Sequence, residues 1–581
     1  MAGAKGFRNL PKLERLKRGR PGPGPRPTER GAGRPPRPRP AAPPPIVALA
    51  DFPGSHQEAL RVLADLLPLT LPRPDHKGRV PRPASRVPAK EGLRPLLASA
   101  RVLRGGAIRR RRGEEAHLVG GAVRDLLLSR PVVEDLDLAV PSGALAAARK
   151  LASRLGGAFV ALDEERGAGR VVVKAKAREY QVDLTDFKGS TLEADLRGRD
   201  FTVNAIAVPL WSLVREGKVP VVDPTGGMAD LARRRLRLAG PRAFDEDPLR
   251  VLRGVRLGAE LGFVLDAEAK RAARRVAPKL TSVAPERIRE ELARLLDLPS
   301  ASRGLRELDR LGLLEALLPE IGPMKSSSQP PPHRFSVWEH SLKTVEAVEE
   351  LLECLSALAP YGDQLAAHVV EPLGDGLTRR HVLKLAALFH DIAKPQTRRV
   401  LDGQIRFIGH DLEGAAVARA IGKRFRLSGR AVDALERLVR HHLRPMHLGQ
   451  VVEVTRRARY RFFRDLGEEA RDLLLLALAD AAAVRGDSPL DVWRGPGGRL
   501  VADLLRGWEE DRVQVAAPPL LRGEEVMAAF GIPPGPEVGR LLTLAREAQD
   551  LGVVTTRDEA LAHLGRVRAT AGGLDTRAVP H

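Results

Sequence analysis

Residues 117–139 combine a two-glycine turn with two closely spaced carboxylates. The stretch reads HLVGGAVRDLLLSRPVVEDLDLA, in which apolar residues lead to Gly120 and Gly121 and an expected strand carries Asp135 and Asp137. Residues two apart on a strand point to the same face, so both carboxylates project together at one strand end. Two carboxylates at one edge pack poorly but suit Mg²⁺, which prefers oxygen ligands.

The glycine turn adds a place for an anion. Gly120 and Gly121 let a phosphate approach the backbone, and the N–H groups of the helix expected from Ala122 favour anionic oxygens. A lone Asp-x-Asp is more often a solvated strand end. The glycine turn beside it favours a phosphoryl-transfer site instead.

Four further blocks follow this segment in order. They are Arg199-Asp200-Phe201-Thr202-Val203-Asn204-Ala205, Asp223-Pro224-Thr225-Gly226-Gly227 with Asp230, Glu246-Asp247-Pro248-Leu249-Arg250, and Glu286-Arg287-Ile288-Arg289-Glu290-Glu291. Together, the five motifs resemble the nucleotidyltransferase superfamily that includes DNA polymerase β. More narrowly, residues 95–581 resemble the bacterial tRNA CCA-adding and poly(A) polymerase family. One position departs from the family, which usually has arginine where this chain has Gly198.

The resemblance implies an α+β fold, with a small α/β nucleotidyltransferase head followed by an all-α neck, body, HD domain and tail. We expect the head at 95–240, neck and RNA-binding body at 241–335, HD domain at 336–485 and helical tail at 486–581. Periodicity agrees with this order. Strands are expected at Leu118–Val119, Val133–Val140, Ala158–Leu162, Arg170–Lys174 and Gln181–Leu184, and helices at Ala144–Leu155, Pro248–Leu261, Pro285–Leu296 and Ser302–Leu311.

The reaction implied for the head is attack by an RNA 3′-hydroxyl on the α-phosphate of a nucleotide. Mg²⁺ held by Asp135 and Asp137 would assist it. Asp183, on a later strand, is either a third catalytic carboxylate or a structural residue. Arg124 is interpreted as a triphosphate ligand, with an ordinary surface arginine as the alternative.

The resemblance also implies nucleotide-binding roles for two later blocks. Arg199, Asp200 and Asn204 would lie by the sugar and triphosphate, although Asp200 could equally cap a helix beginning at Phe201.

Asp247 and Arg250 are expected three apart on one helix, facing the same way. A carboxylate and a guanidinium match the amine and ring acceptor shared by cytosine and adenine. Uracil and guanine have a carbonyl where the amine should be and a ring N–H where the acceptor should be. The alternative is a surface salt bridge between the two residues.

A second constellation occupies residues 336–485. Its members are His340, His390, Asp391, His410, His442 and Asp480. Their order resembles the HD superfamily of metal-dependent phosphohydrolases, which implies a site for Mn²⁺, Ni²⁺ or Mg²⁺. We choose His442 over the adjacent His441 because Leu-Arg-Pro follows it, as in the family.

Composition supports a polyanionic partner such as RNA, because the formal net charge is +23. Residues 1–45 hold twelve Lys or Arg, two Glu and twelve Pro. We expect residues 1–94 to be a disordered basic arm and linker, interrupted by a short amphipathic helix at Gln57–Leu67. The arm is either an RNA contact or a solubilising tail. The lone cysteine, Cys354, and the lack of a signal or membrane segment favour a cytoplasmic enzyme.

The leading hypothesis is template-independent addition of C and A to the 3′ end of tRNA from CTP and ATP, with an HD phosphohydrolase as a second site. The alternatives are a poly(A) polymerase, an enzyme adding only CC or A, and a protein acting mainly as an HD phosphohydrolase. No membrane or protein partner is expected.

Overall fold

The computed structural model of the chain describes residues 46–52, 54–66, 116–130, 135–175, 178–451, 453–511 and 518–572. The strands of the head alternate with short helices. In chain order, its elements are β1 (Ile46–Ala48), α1 (Gly54–Leu66), β2 (His117–Val119), α2 (Gly121–Leu127), β3 (Asp135–Val140), α3 (Ala144–Leu155), β4 (Ala158–Asp163), β5 (Ala168–Ala175), β6 (Arg178–Asp186), α4 (Leu192–Arg197), β7 (Val208–Pro209), α5 (Leu210–Glu216), β8 (Lys218–Pro220), α6 (Gly227–Ala232) and β9 (Arg235–Leu236).

Six of these strands form one mixed sheet in the order β4-β5-β6-β3-β2-β7. The pair β3 and β6 is parallel, and the others are antiparallel. Asp137 on β3 lies opposite Val119 on β2 and opposite Asp183 on β6. Leu136 and Leu138 alternate with the carboxylates and are fully buried. The period-two pattern therefore fixes which residues of β3 face the core and which face the site.

The N-terminal segment corrects one expectation. Residues 46–52 and 54–66 are not linker, because β1 pairs antiparallel with β8 and α1 packs against α3 and α5. Leu60 and Leu63 of α1 are fully buried. The expected helix is present, but its apolar face completes the core of the head. The rest of the expected disordered segment, 1–45 and 67–94, lies outside the described residues.

Helices dominate the remainder of the described chain. The neck and body contain α7 (Ala243–Glu246), α8 (Arg250–Leu261), β10 (Val264–Leu265), α9 (Ala267–Val276), α10 (Pro285–Leu296), α11 (Ala301–Arg310), α12 (Leu313–Leu317) and α13 (Gly322–Ser326). The next region contains α14 (Val337–Glu353), α15 (Gly362–Val369), β11 (Pro372–Gly374), β12 (Leu377–Thr378), α16 (Arg379–Phe389), α17 (Lys394–Thr397), β13 (Arg398–Leu401), β14 (Gln404–Phe407), α18 (His410–Arg424), α19 (Gly429–His441), α20 (Arg444–Gly449), α21 (Arg456–Leu466) and α22 (Glu469–Arg485). The tail contains α23 (Pro489–Arg494), α24 (Pro496–Asp511), α25 (Gly523–Phe530), α26 (Pro536–Asp550) and α27 (Arg557–Gly572).

The α+β fold class is confirmed, with a sheet-containing head followed by a helical remainder. The expected divisions at 240, 335 and 485 fall between elements. The helices α3 and α10 have their expected bounds. Three others differ: α8 begins at Arg250 rather than at Pro248, α11 spans Ala301–Arg310 rather than Ser302–Leu311, and α1 spans Gly54–Leu66 rather than Gln57–Leu67. Within the described ranges, the model contains no helix that is both long and apolar enough to span a bilayer.

Leu60→Ala should destabilise the chain by about 2–5 kcal/mol, because it removes a fully buried side chain from the core of the head. The neighbouring Arg61→Ala is the matched control, since Arg61 is exposed and donates to Gln57 Oε1 at 3.3 Å on the same helix. Urea denaturation of both variants measures the difference. Equal midpoints would show that α1 does not belong to the core.

Candidate active site and metal centre

The turn between β2 and α2 is shaped around the carboxylate of Asp137. Gly120 has a φ of +78°, in the left-handed region that favours glycine. A Cβ built on Gly120 would lie 2.3 Å from Asp137 Oδ2. The backbone of the turn and the carboxylate therefore approach each other as only glycine allows, and we call this arrangement the Gly120 cradle. Gly121 follows directly and begins α2.

The carboxylates of the sheet differ in their surroundings. Asp135 is exposed at the start of β3, whereas Asp137 is half-buried. Both oxygens of Asp183 accept hydrogen bonds from Arg170 on β5, each at 2.8 Å. Asp183 thus lies beside Asp137, as its strand position predicts, but the bidentate pair engages its carboxylate.

Burial raises the pKa of the Asp137 carboxyl. Arg199 opposes this effect, and the neighbouring Asp183 reinforces it. A carboxylate that is partly desolvated and close to like charge is stabilised by a cation. Asp135, Asp137 and the cradle at Gly120 thus fit a divalent ion bound through oxygen.

Arg124 is neither a surface arginine nor open to solvent. Its side chain is buried, and its guanidinium donates to Asp125 at 2.9 Å and to Asn204 Oδ1 at 2.8 Å. Asn204 in turn donates to Asp200 Oδ1 at 3.1 Å. The structure therefore links the glycine-turn helix to the second motif through buried hydrogen bonds, and Arg124 orients Asn204.

Asp200 does not cap the following helical turn. The short 3-10 turn Thr202–Asn204 has no side-chain cap, and Asp200 accepts instead from the Phe201 N–H at 2.7 Å. Burial alone would raise the pKa of Asp200, but Arg253 and Asn204 outweigh it and lower that pKa. Asp200 is thus held as a buried carboxylate.

Sequence reasoning missed Arg253. Its Nε lies 3.1 Å from Asp200 Oδ2, and its charge acts on Asp137 and Asp247 as well. Arg253 follows Arg250 by three residues on α8, so the two face the same side of the helix. The three-residue spacing from Arg250 is the feature of the sequence that could have indicated Arg253.

The expected geometry of Asp247 and Arg250 is wrong in one respect. Asp247 lies before α8 in extended backbone, with φ −146° and ψ 99°, because α7 ends at Glu246. Asp247 accepts from Arg287 Nη2 at 2.7 Å, whereas Arg250 donates to the backbone oxygens of Ala243 and Gly198, each at 3.1 Å. The alternative of a direct Asp247–Arg250 salt bridge is therefore not what the structure shows.

Arg199 occupies the motif position predicted for it, and its guanidinium is held by the buried Asp195 at 3.2 Å. Its charge reaches Asp137, as the pKa of that carboxyl shows. Arg199 thus places positive charge beside the carboxylates of the head.

The second predicted constellation forms one buried cluster. The ligand atoms fall into two groups, each with its atoms within 4.8 Å of one another: His340, His390 and Asp480, and Asp391, His410 and His442. The side chains converge from α14, α18, α22 and the ends of α16 and α19. All six predicted residues are brought together, and His442 rather than His441 belongs to the cluster.

The imidazoles of this cluster are oriented for a cation. His410 Nδ1 contacts the carbonyl of Phe407 at 2.6 Å, and His442 Nδ1 contacts that of Val439 at 2.7 Å. Because a carbonyl only accepts, Nδ1 carries the proton in each neutral ring and Nε2 carries the lone pair. The two Nε2 atoms lie 3.2 Å apart. Two facing lone pairs repel unless a cation lies between them, so the donor set fits a metal.

Two neighbours of the cluster were not anticipated. Lys394 Nζ lies 2.6 Å from Asp391 Oδ2, and the His333 ring stands edge-on to His340 with centroids 5.2 Å apart. Burial, aided by Lys394 and His340, lowers the pKa of His333 to about 4. His333 therefore stays neutral at physiological pH. Its position seven residues before His340 gives no periodic signal.

The glycine turn, the carboxylate pair on a mixed sheet and the following helices define the nucleotidyltransferase class. Family models agree. The model for the poly(A) polymerase head domain matches residues 116–237, that for the probable RNA and SrmB-binding site of polymerase A matches 262–324, and that for the HD domain matches 337–483.

Curated relatives extend the match to most of the chain. The A-adding tRNA nucleotidyltransferase of Deinococcus radiodurans is 40% identical over 78% of this chain and 95% of its own length. The CC-adding tRNA nucleotidyltransferase of Thermus thermophilus is 39% identical, over 78% and 93%. The multifunctional CCA protein of Xanthomonas campestris is 32% identical, over 74% and 97%. The chain therefore belongs to the tRNA nucleotidyltransferase and poly(A) polymerase family.

Solved structures share the fold. An apo form of a CCA-adding enzyme aligns with a TM-score of 0.52 and 16% identity, covering 89% of this chain and 96% of that chain. Members of the polymerase head and HD families typically use divalent metals, which matches the donor sets of both sites.

Gly120→Ala should lower the rate of nucleotide transfer by about a hundredfold or more, because the new Cβ must displace the Asp137 carboxylate. Gly217→Ala is the matched control. Gly217 has a φ of +79°, but a Cβ there meets nothing within 4 Å. Gly120 has ψ −145° and Gly217 has ψ −21°, so Gly120→Ala carries the greater backbone strain, and its melting curve separates lost stability from lost rate. Equal transfer rates in the two variants would contradict a role for the cradle. Steady-state kinetics with melting curves measure both effects.

Proposed function

We propose that the protein adds C and A nucleotides to the 3′ end of tRNA, using CTP and ATP and no nucleic-acid template. The observation that carries the proposal is the Asp137 carboxylate held over the Gly120 backbone with Asp135 beside it. The names of the relatives and the positive charge of the chain support tRNA as the substrate.

In this proposal, Asp135 and Asp137 hold Mg²⁺. The metal would lower the pKa of the attacking 3′-hydroxyl and neutralise charge on the departing pyrophosphate. The backbone of Gly120 and Gly121 admits the phosphates. Asp183 is the third carboxylate of the site. It acts indirectly, by positioning Arg170 beside Asp135 and Asp137.

The second motif binds the rest of the nucleotide. Arg199 supplies positive charge for the triphosphate, and Asp200 and Asn204 face the sugar. Arg124 acts indirectly, because its guanidinium fixes the orientation of Asn204. Asn204 is thereby ordered before a nucleotide arrives, which reduces the entropy that binding costs.

Asp247 and Arg250 read the base. A carboxylate accepts from an exocyclic amine and a guanidinium donates to a ring nitrogen, which selects cytosine and adenine. Arg250 is held by two backbone oxygens and Asp247 by Arg287, so both are positioned by other groups rather than by each other.

Asp247→Ala should reduce discrimination against UTP and GTP roughly ten- to a hundredfold, because the amine of the correct base loses its acceptor. Asp245→Ala is the control, since Asp245 is a nearby carboxylate paired with Arg275 and Lys279. Competition among the four nucleotides on tRNA lacking CCA gives the preference. If Asp247→Ala changes only thermal stability, the proposed base-reading role of Asp247 is ruled out.

Partial addition is a second candidate, because the relatives quoted above include both an A-adding and a CC-adding enzyme. Incubation with tRNA lacking CCA, tRNA ending in CC, or oligo(A) separates the activities, with labelled CTP or ATP. Full CCA synthesis on the first substrate supports the main proposal. Arrest after CC, activity on the CC-ending tRNA alone, or extension of oligo(A) would each assign a different member of the family.

Asp135→Ala combined with Asp137→Ala should abolish nucleotide addition and leave tRNA affinity within a few-fold, since the pair holds metal rather than RNA. Filter binding and incorporation assays measure both quantities. Substantial incorporation by the double variant would rule out the assignment.

We further propose that the six-residue cluster is a metal-dependent phosphohydrolase site for Mn²⁺, Ni²⁺ or Mg²⁺. The facing Nε2 atoms of His410 and His442 support it. Its substrates would be phosphoesters such as a 2′,3′-cyclic phosphate at an RNA end.

His390→Ala with Asp391→Ala should remove phosphohydrolase activity and spare nucleotide addition, because the cluster shares no residue with the head site. Hydrolysis of 2′,3′-cyclic AMP with each metal provides the measurement. A wild-type protein inactive with all three metals would contradict the second site.

A further inference from the structure

Two cationic side chains converge on one backbone carbonyl in the head, and the charge of a third, Arg199, acts on one of them. The oxygen of Gly198 accepts from Lys188 Nζ at 3.2 Å and from Arg250 Nη2 at 3.1 Å. The next residue, Arg199, is paired with Asp195. A neutral carbonyl cannot balance two positive charges. Glu246, 3.9 Å from Arg250 Nη1, and Asp195, the partner of Arg199, both act on Lys188, but they are two carboxylates against three cations. The cluster therefore retains surplus positive charge.

Gly198 is not required by the backbone. Its φ is −82°, in the right-handed helical region that any residue adopts. A Cβ built on Gly198 would lie 3.2 Å from Cδ of Lys188. A glycine at this position thus leaves room for the lysine stem, which lies as close to the added Cβ as the backbone oxygen of Asp195 at 3.3 Å.

The lysine lies close to both parts of the proposed nucleotide site. It follows β6, the strand on which Asp183 pairs with Asp137. The charge of Arg199 acts on Asp137 and on Lys188, and the charge of Arg250 acts on Lys188. Lys188 is therefore within electrostatic reach of the groups that flank the carboxylates and of the base-reading arginine.

We propose that Lys188 binds the β- and γ-phosphates of the incoming nucleoside triphosphate, and that Gly198 leaves room for its side chain. The ammonium group has three donors, of which the Gly198 carbonyl takes one, so two remain for phosphate oxygens. Partial burial, with Arg250 and Arg199 nearby, lowers the pKa of Lys188. An anion bound there would stabilise the charged form. This inference rests on the proposed function and identifies a residue for the triphosphate that the family motifs did not.

A purely structural lysine would behave differently. If Lys188 only fixed Arg250 through their shared carbonyl, its loss would change base preference. A phosphate ligand contacts the part common to all four nucleotides, so its loss weakens each of them equally. Comparing the affinities of different nucleotides therefore distinguishes a phosphate ligand from a structural lysine, whereas overall activity does not.

The test measures equilibrium binding to the full chain with Mg²⁺, by calorimetry with CTP, UTP and CMP. Lys188→Ala should raise the Kd for CTP by about ten- to a hundredfold, as expected for lost hydrogen bonds to a charged group. The Kd for CMP should stay within about twofold, and Lys188→Arg should recover most of the CTP affinity. Lys150→Ala, which removes an exposed lysine of α3, is the control and should change nothing.

Gly198→Val provides a second, independent test of the proposal. It should weaken CTP binding in the wild-type background and add nothing in the Lys188→Ala background, because both changes act on one side chain. Additive losses, equal weakening of CMP and CTP, a changed CTP-to-UTP ratio or an unaltered CTP affinity would each overturn the inference. Wild-type protein that binds CTP but transfers neither C nor A to tRNA would instead overturn the proposed function.

Discussion

The close approach of the Asp137 carboxylate to the backbone of Gly120 is the constraint on which the head depends. A side chain on Gly120 would overlap the carboxylate at 2.3 Å, so the turn can approach the carboxylate this closely only with glycine at that position. The pairing of Val119 with Asp137 places the glycine turn at the same edge of the sheet as the carboxylates. The sheet register thus determines the chemistry, because a slip of one residue would turn both carboxylates to the other face.

Positive charge around this edge comes from distant parts of the chain. Arg170 arrives from β5, Arg199 from the motif after α4, and Arg253 from α8. Each is paired with a carboxylate, so the cations are positioned without a bound nucleotide. Such preorganisation favours binding of a polyanion, because little ordering of side chains remains to be done. The helical neck therefore contributes directly to the site through α8.

Sequence alone predicted the elements with strong periodic or motif signals. The glycine turn, the carboxylate pair and the six side chains of the HD cluster could be named because their spacing is local or their order is diagnostic. Arg170 and Arg253 could not, because their roles arise from strand pairing and from a contact between α8 and the second motif. Asp247 was placed on a helix because i,i+3 spacing resembles a helical face, whereas the chain is extended there.

The N-terminal segment shows the same limit of prediction from sequence alone. An amphipathic pattern at Gln57–Leu67 predicts a helix, but it does not say what covers the apolar face. The structure provides α3 and α5 as the partners, so a segment interpreted as linker is part of the head. For the HD cluster, order along the chain identified the six side chains, and the backbone carbonyls that fix the imidazoles of His410 and His442 became visible only in three dimensions.

Anomalous diffraction from crystals grown with Mn²⁺ and a non-hydrolysable CTP analogue tests the central claim most directly. The account predicts Mn²⁺ within about 2.2 Å of oxygens of both Asp135 and Asp137, with the phosphates against the backbone of Gly120 and Gly121. A nucleotide bound elsewhere, or Mn²⁺ found at the HD cluster while the carboxylate pair holds none, would contradict it.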